Sequence, residues 1–316
     1  MKKVCCYGTG VIGTAWGAVF LKGGCDVTFF DIGDEQLKNT KQSLEGILAF
    51  FRSQNMMSEE ECLDAVQRIH YTKDVKEAVG EAEFIQENCP ESVEMKQRVL
   101  ADIEQYCPDD AVIASSTSGL LISDSAAKAT HPERVIGGHP YNPVYVMPLV
   151  EISQSEKTDP EVVKKAKAFY LEMGKEPVVM NKECPGFLCN RIQVAVAREV
   201  YDLVYRGVCS VEDIDKALVY GVGLRWAILG QHLVSQIGGG AGGFRAINEH
   251  IGPATEVWLE DMAKWTKVPE GYMDIAEKGI AEEMANRAPG TGQTNEELTK
   301  YLSGGILAIL KYHGKL

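Results

Sequence analysis

Two residues twelve positions apart, His139 and Glu151, are the pair in this chain best suited to moving a proton. His139 closes the apolar run Val135-Ile136-Gly137-Gly138, and Glu151 follows Pro148-Leu149-Val150. Prolines between the runs turn the chain, which predicts a hairpin-like return that brings imidazole and carboxylate within reach. A carboxylate on one ring nitrogen fixes the tautomer and raises the basicity of the other, which can then take a proton from a hydroxyl. A lone histidine at a strand end is more often structural, and the acidic partner is what favours chemistry here. Ser118, after the run Ala111–Ala114, and Asn190, after Pro185-Gly186-Phe187, are polar groups at element ends. They suit the orientation of a substrate oxygen or of a nicotinamide ring.

A second cluster is Gly8-Thr9-Gly10-Val11-Ile12-Gly13, a GxGxxG turn. Among 31 glycines such a match is weak alone. Its context is specific: the apolar stretch 3–7 precedes it, a helical pattern over Thr14–Lys22 follows, and Val27–Phe30 then ends on Asp31. Gly8 permits the tight turn, Gly10 admits a pyrophosphate against the backbone, and Gly13 allows close packing of helix on strand. Unpaired N–H groups at the helix start, including those of Val11 and Ile12, favour phosphate. Asp31 stands 18 residues after Gly13, where a carboxylate receives ribose hydroxyls and repels a 2′-phosphate. NAD is therefore expected rather than NADP. A flavin site or a structural glycine turn is the alternative.

The elements that must hold these groups alternate strand and helix. Further strands are expected at Phe84–Gln86, Ala111–Ser115, Val135–His139, Leu149–Ile152 and Pro177–Met180, with helical patterns over 34–70 and from Glu91 to about Tyr106. This predicts an α/β fold: a doubly wound, mostly parallel Rossmann sheet over 1–183. From Phe187 the chain reads as helical, with helices over Phe187–Arg206 and Val211–Tyr220, so 184–316 is expected to be an all-α domain. The tract Gly238–Gly243 reads as a flexible loop.

Bulk composition narrows the class. The 316 residues are 45% hydrophobic and 24% charged, an ordinary globular balance. A net charge of −13 opposes nucleic-acid binding. No apolar run is long enough for a membrane span, and Met1-Lys2-Lys3 leads directly into a strand, so neither membrane nor targeting segment is expected. Nine cysteines without a CxxC pair read as reduced, cytoplasmic thiols with no metal role.

Four stretches together carry a resemblance: Ser116-Thr117-Ser118, His139-Pro140-Tyr141-Asn142-Pro143-Val144, Glu151, and Pro185-Gly186-Phe187-Leu188-Cys189-Asn190-Arg191. In this order and spacing the chain resembles the L-3-hydroxyacyl-CoA dehydrogenase superfamily over essentially its full length. Within it, the chain is most similar to the branch holding L-carnitine and L-gulonate 3-dehydrogenases. The resemblance implies His139 as general base paired with Glu151, and Ser118 and Asn190 as substrate contacts. It also implies Glu91, Lys96 and Asn142 as NAD contacts, and a homodimer joined through the helical domain.

The expected reaction is oxidation of an L-3-hydroxy acid to the 3-keto acid. Gly223-Leu224-Arg225-Trp226-Ala227 favours the carnitine and gulonate branch, because Arg225 can clamp a free carboxylate that a thioester lacks. A helix-surface ion pair is the alternative for Arg225. A quaternary ammonium is held by aromatic faces at about 0.5–2 kcal/mol per contact; Tyr141, Tyr145, Trp226, Phe244, Trp258 and Trp265 are candidates. Relatives often carry a glutamate soon after the position of Gly230, whereas this chain has Gln231-His232-Leu233. L-Carnitine is the first expectation. L-gulonate, another 3-hydroxy acid or a CoA ester, and a crystallin-like NAD-binding structural protein are the alternatives.

Overall fold

The computed structural model describes residues 2–316. Two compact units are present, one ending at Arg191 and the other running from Ile192 to Leu316. In the first, the chain runs β1 (Lys3–Tyr7), α1 (Val11–Lys22), β2 (Asp26–Phe30), α2 (Asp34–Ser53), α3 (Glu59–Gln67), β3 (Ile69–Thr72), α4 (Val75–Val79) and β4 (Phe84–Glu87). It continues through α5 (Val93–Glu104), β5 (Val112–Ser115), α6 (Ile122–Ser125), β6 (Val135–Pro140), β7 (Leu149–Ser153), α7 (Pro160–Glu172) and β8 (Glu176–Val179). The strands form one sheet in the order β3-β2-β1-β4-β5-β6-β7-β8. All neighbours are parallel except β6 and β7.

Strands buried on both faces explain why the sequence reads as short, continuous apolar runs. Trp16, Phe20, Phe29, Leu48, Phe51 and Phe169 fill one face under α1, α2 and α7. Ile85, Val99, Leu100, Ile103, Ile113 and Ile122 fill the other under α5 and α6. The order in which strands are added reverses between β1 and β4, and this switch point opens the crevice at their carboxyl ends where nucleotides bind in such sheets. The glycine-rich turn leaves β1 at that point.

Two local expectations change. The helical pattern over 34–70 is α2, a turn, α3 and then β3, because Ser58 caps α3 reciprocally with Glu61 and so starts a new helix. The strand β3 was hidden: its four residues, Ile69-His70-Tyr71-Thr72, lie at a half-exposed edge and carry no flanking glycine or proline. The helix α7 also goes beyond the expected elements, and Asp159 caps it before Pro160.

The second unit is helical, as expected. Helix α8 (Cys189–Tyr205) crosses the boundary, followed by α9 (Val211–Ala217), α10 (Gly223–Trp226), α11 (Gln231–Gly238), α12 (Gly243–Asp261), α13 (Tyr272–Asn286) and α14 (Asn295–Tyr312). Helix α9 stops short of the expected Tyr220 because Leu218–Val222 widens into a π-turn kinked at Gly221. The glycine tract Gly238–Gly243 is a tight 3₁₀ turn between α11 and α12, not a flexible loop. A Cβ on Gly239 would meet the Gly243 carbonyl oxygen at 1.8 Å, so the turn closes only with glycine at 239. Among the described residues no helix is long and apolar enough to cross a membrane.

Candidate active site

His139 and Glu151 are direct register partners on the antiparallel pair β6–β7. Their side chains therefore rise from the same face of the sheet, and His139 Nδ1 lies 2.8 Å from Glu151 Oε2. The pair is nearly sealed, with His139 7% and Glu151 0% exposed. Glu151 Oε1 accepts from the backbone N–H groups of Leu188 and Cys189, each at 2.9 Å. Burial opposes the charge on Glu151. The bonds from His139, Cys189 and Leu188 and the charge of the imidazole outweigh it, so the carboxyl stays below its ordinary range. An imidazole bound at Nδ1 to an anion keeps Nε2 for proton exchange.

Around this pair the structure gathers most of the expected residues. Ser118 is exposed just beyond β5, and its backbone N–H donates to Glu91 Oε1 at 2.8 Å. Thr117 Oγ1 donates to the same oxygen at 2.7 Å. Glu91 thus holds the serine loop. Asn190 Nδ2 donates to the Ser118 carbonyl at 2.7 Å, and Tyr141 Oη donates to Asn190 Oδ1 at 3.4 Å. The Tyr141 ring stands edge-on to His139 at 5.8 Å, and Phe187 stands edge-on from another side at 5.6 Å. Asn142 is exposed in the turn after β6. The segment 184–191, read from sequence as the start of the helical domain, packs here with the first unit.

The glycine-rich turn fits a dinucleotide by shape. Gly8 adopts φ +90°, a conformation open chiefly to glycine. A Cβ on Gly13 would lie 1.9 Å from the Gly8 carbonyl oxygen, so helix α1 meets the turn only because residue 13 has none. A Cβ on Gly10 would meet nothing within 4 Å, which leaves an open approach to the backbone at the start of α1. Gly10 caps α1 without a side-chain bond, and Val11 is 76% exposed, so no capping side chain occupies the start of the helix. The Ile12 side chain packs on the core, so this residue offers only its backbone. Asp31 follows β2, and its Oδ2 accepts from Thr9 N at 2.9 Å and Thr9 Oγ1 at 3.0 Å. The carboxylate is thereby aimed by the turn itself, a role for Thr9 that the motif alone does not reveal.

Lys96 lies on α5. It is 1% exposed, and its ammonium is held by Glu87 at 2.9 Å and by the Cys89 carbonyl at 2.8 Å. Glu87 in turn accepts from Ser115 Oγ and Cys89 N, each at 2.5 Å. A buried cation must be paired, and Glu87 pairs with Lys96 here and ties it to the loop after β4.

Of the aromatic candidates, Tyr145 packs on Phe50 and Phe51 in the core. Trp265 in the second unit is tied through Nε1 to Asp202. In that unit Arg225 and Trp226 lie exposed on α10, directly after the π-turn, and Trp226 Nε1 donates to Gln231 Oε1 at 2.6 Å. Among the described residues no carboxylate pairs with Arg225.

Three features were missed from sequence. The Leu188 and Cys189 N–H groups are backbone and leave no side-chain signature. Lys175 is buried, its ammonium bonded to the carbonyls of Val144 and Met147 and 5.2 Å from the Trp16 ring. It secures the turn between β6 and β7, yet a lysine after Gly174 reads as a solvated residue. Ser116 Oγ accepts from Gln86 Nε2 at 2.8 Å and from Trp16 Nε1 at 3.2 Å, and donates to Asn88 Oδ1 at 2.7 Å. This links the floor of the glycine turn to β5.

Known proteins resemble this chain along most of its length. The model of the 3-hydroxyacyl-CoA dehydrogenase NAD-binding domain matches residues 3–184, and that of the C-terminal domain of the same family matches 186–273. The chain is 36% identical over 314 residues to an L-carnitine dehydrogenase of Mesorhizobium japonicum, covering 98% of this chain and 83% of the relative. It is 35% identical to an L-carnitine dehydrogenase of a Pseudomonas species, covering 99% and 94%. Among solved structures it resembles 5-formyl-3-hydroxy-2-methylpyridine 4-carboxylic acid 5-dehydrogenase, with a TM-score of 0.80, 25% identity, and 99% and 97% of the two chains covered. It also resembles Escherichia coli 3-hydroxybutyryl-CoA dehydrogenase, with a TM-score of 0.65, 29% identity, and 69% and 46% covered. The chain belongs to the 3-hydroxyacyl-CoA dehydrogenase family and is an NAD-dependent oxidoreductase.

Proposed function

We propose that the chain oxidises the 3-hydroxyl of an L-3-hydroxy acid and that L-carnitine is its substrate. The observation that carries this reading is the sealed 2.8 Å contact between His139 Nδ1 and Glu151. It commits Nδ1 to the carboxylate and leaves Nε2 to accept the hydroxyl proton. Bound NAD supplies the hydride acceptor. Ser118 and Asn190, joined through the Ser118 carbonyl, orient the substrate oxygen toward Nε2. Fixing the reacting groups in line provides much of the acceleration.

Two observations support carnitine within this class. The L-carnitine dehydrogenases that match do so at 33–38% identity over most of this chain. Arg225 offers a guanidinium with no carboxylate partner among the described residues, which suits a substrate carboxylate. Tyr141, edge-on to His139, is an aromatic candidate for its trimethylammonium group. The test is NADH formation with L-carnitine, L-gulonate, 3-hydroxybutyrate and 3-hydroxybutyryl-CoA. The highest kcat/KM is expected with L-carnitine. Preference for the CoA ester would overturn the substrate assignment.

A homodimer through the helical unit is part of this proposal. That unit buries few large apolar residues, chiefly Val204, Tyr272, Leu307 and Leu310. Ile192, Val194, Leu224, Leu233, Val257 and Leu302 all lie exposed. Apolar surface on this scale is covered in stable assemblies, and a second copy of the chain is the occupant we assign.

A further inference from the structure

The segment Gly186-Phe187, near the base, carries two successive positive φ values. Gly186 has φ +74° and Phe187 φ +52°. A buried phenylalanine in the left-handed region is uncommon, and such residues persist where the surroundings impose them. Here the surroundings are specific. A Cβ on Gly119 would come within 2.9 Å of Gly186 Cα, and the Gly186 N–H donates to the Gly119 carbonyl at 3.3 Å. The Phe187 ring is fully buried against His139. The consequence of the turn is that the next two N–H groups, those of Leu188 and Cys189, converge on a single oxygen, Glu151 Oε1.

We propose that this left-handed turn is a positioning device whose two converging N–H groups keep Glu151 anionic and aimed at His139, so that the imidazole is free to take up the substrate proton. The inference rests on the reading of His139 as the base. It adds backbone groups, with the strained turn that delivers them, to the proton-handling apparatus.

The alternative is that the N–H groups only start helix α8. Three observations oppose it. Both bonds go to the same carboxylate oxygen, the other oxygen of that carboxylate holds the imidazole, and the residue ordering them accepts an unfavourable φ. The titratable groups facing Glu151 are His139 from β6, Tyr141 from the turn beyond it, and Cys189 from α8. Burial and the neighbouring carboxylate push the Cys189 thiol up to about 11, so it does not compete as an anion. No lysine or arginine ion pair reaches Glu151 among the described residues, which leaves the two N–H groups and the imidazole to stabilise its charge.

The test removes one N–H and reads the pH profile. Cys189 is the first residue of α8, where proline is tolerated, so C189P deletes the donor with little cost to the helix. A second variant replaces the 188–189 amide by an ester, with lactic acid at position 189, in case proline disturbs Leu188. Both are compared with C189A, which lacks the thiol but keeps the N–H. With one donor gone the histidine–glutamate pair takes up a proton more readily. The acid limb of kcat/KM is expected to move upward by about one pH unit, as fits one hydrogen bond to a charged group. KM for NAD should stay within about twofold, a split that general loosening of the fold would not produce. An acid limb within about 0.2 unit of C189A in the correctly folded variant would overturn the inference. Measured in parallel, H139Q separates the two levels. If it retains full turnover, the base assignment itself fails; if it is inactive and the ester leaves the limb unmoved, only the role of the turn falls.

Discussion

Glu151 meets three donors with two oxygens while fully buried, and this arrangement makes its charge a stability element as well as a chemical one. Its carboxyl lies below the ordinary range, so its contribution is present above the unfolded value and is lost as pH falls through the folded one. E151Q is therefore expected to lower stability by about 1–3 kcal/mol near neutrality. The difference from wild type should shrink on acidification below the ordinary carboxylate range. Thermal denaturation of both proteins from pH 3 to pH 8 checks this, and a gap that widens in acid would contradict it. At this scale the sequence was informative wherever chemistry resides in side chains of recognisable spacing. His139, Glu151, Ser118 and Asn190 lie together as expected, because strand pairing and a helix start converge on them. The pairing of Lys96 with Glu87 was not legible, because spacing cannot say whether an ammonium faces solvent or a buried carboxylate. The donors to Glu151 were invisible because every residue owns an N–H.

At the scale of elements, the turn between β6 and β7 depends on a residue outside it. Lys175, just before β8, bonds to the carbonyls of Val144 and Met147 from within the core. Burial, with a smaller effect of Lys22, lowers its ammonium to about 7. A lysine depressed in the folded state releases its proton on folding between that value and its unfolded one, so stability rises with pH from about 7 toward 10. K175M removes this dependence: its midpoint of urea denaturation should be flatter than that of wild type across pH 7–9. Identical slopes would show that Lys175 does not titrate there. The elements carrying the strongest local signals were legible, namely β1, the glycine turn, α1, β6 and β7. The edge strand β3 was not, since four half-exposed residues after a helix carry no periodicity to distinguish them. The glycine tract misled in the other direction: its residues serve closure of a tight turn, which composition alone reads as mobility.

At the scale of the molecule, the two units differ in how completely they bury their apolar residues. The sheet unit has a core on both faces, whereas the helical unit leaves large side chains such as Leu224, Val257 and Leu302 exposed. Light scattering should therefore give about twice the 34.7 kDa chain mass, and the melting temperature should fall on dilution. A monomeric mass at micromolar concentration would contradict the assembly. Fold class was readable at this scale because strand–helix alternation and then continuous helix are long-range patterns. The exposed apolar surface was not, since a helical face looks the same in sequence whether it meets its own core or another chain. The central claim remains that the imidazole of His139, held by Glu151, accepts the substrate proton. Its most direct test is kcat for NADH formation with L-carnitine in H139Q, alongside the dissociation constant for NAD. The account predicts that kcat falls by about 10²–10⁴-fold while NAD affinity is preserved. Turnover within about twofold of wild type would contradict it.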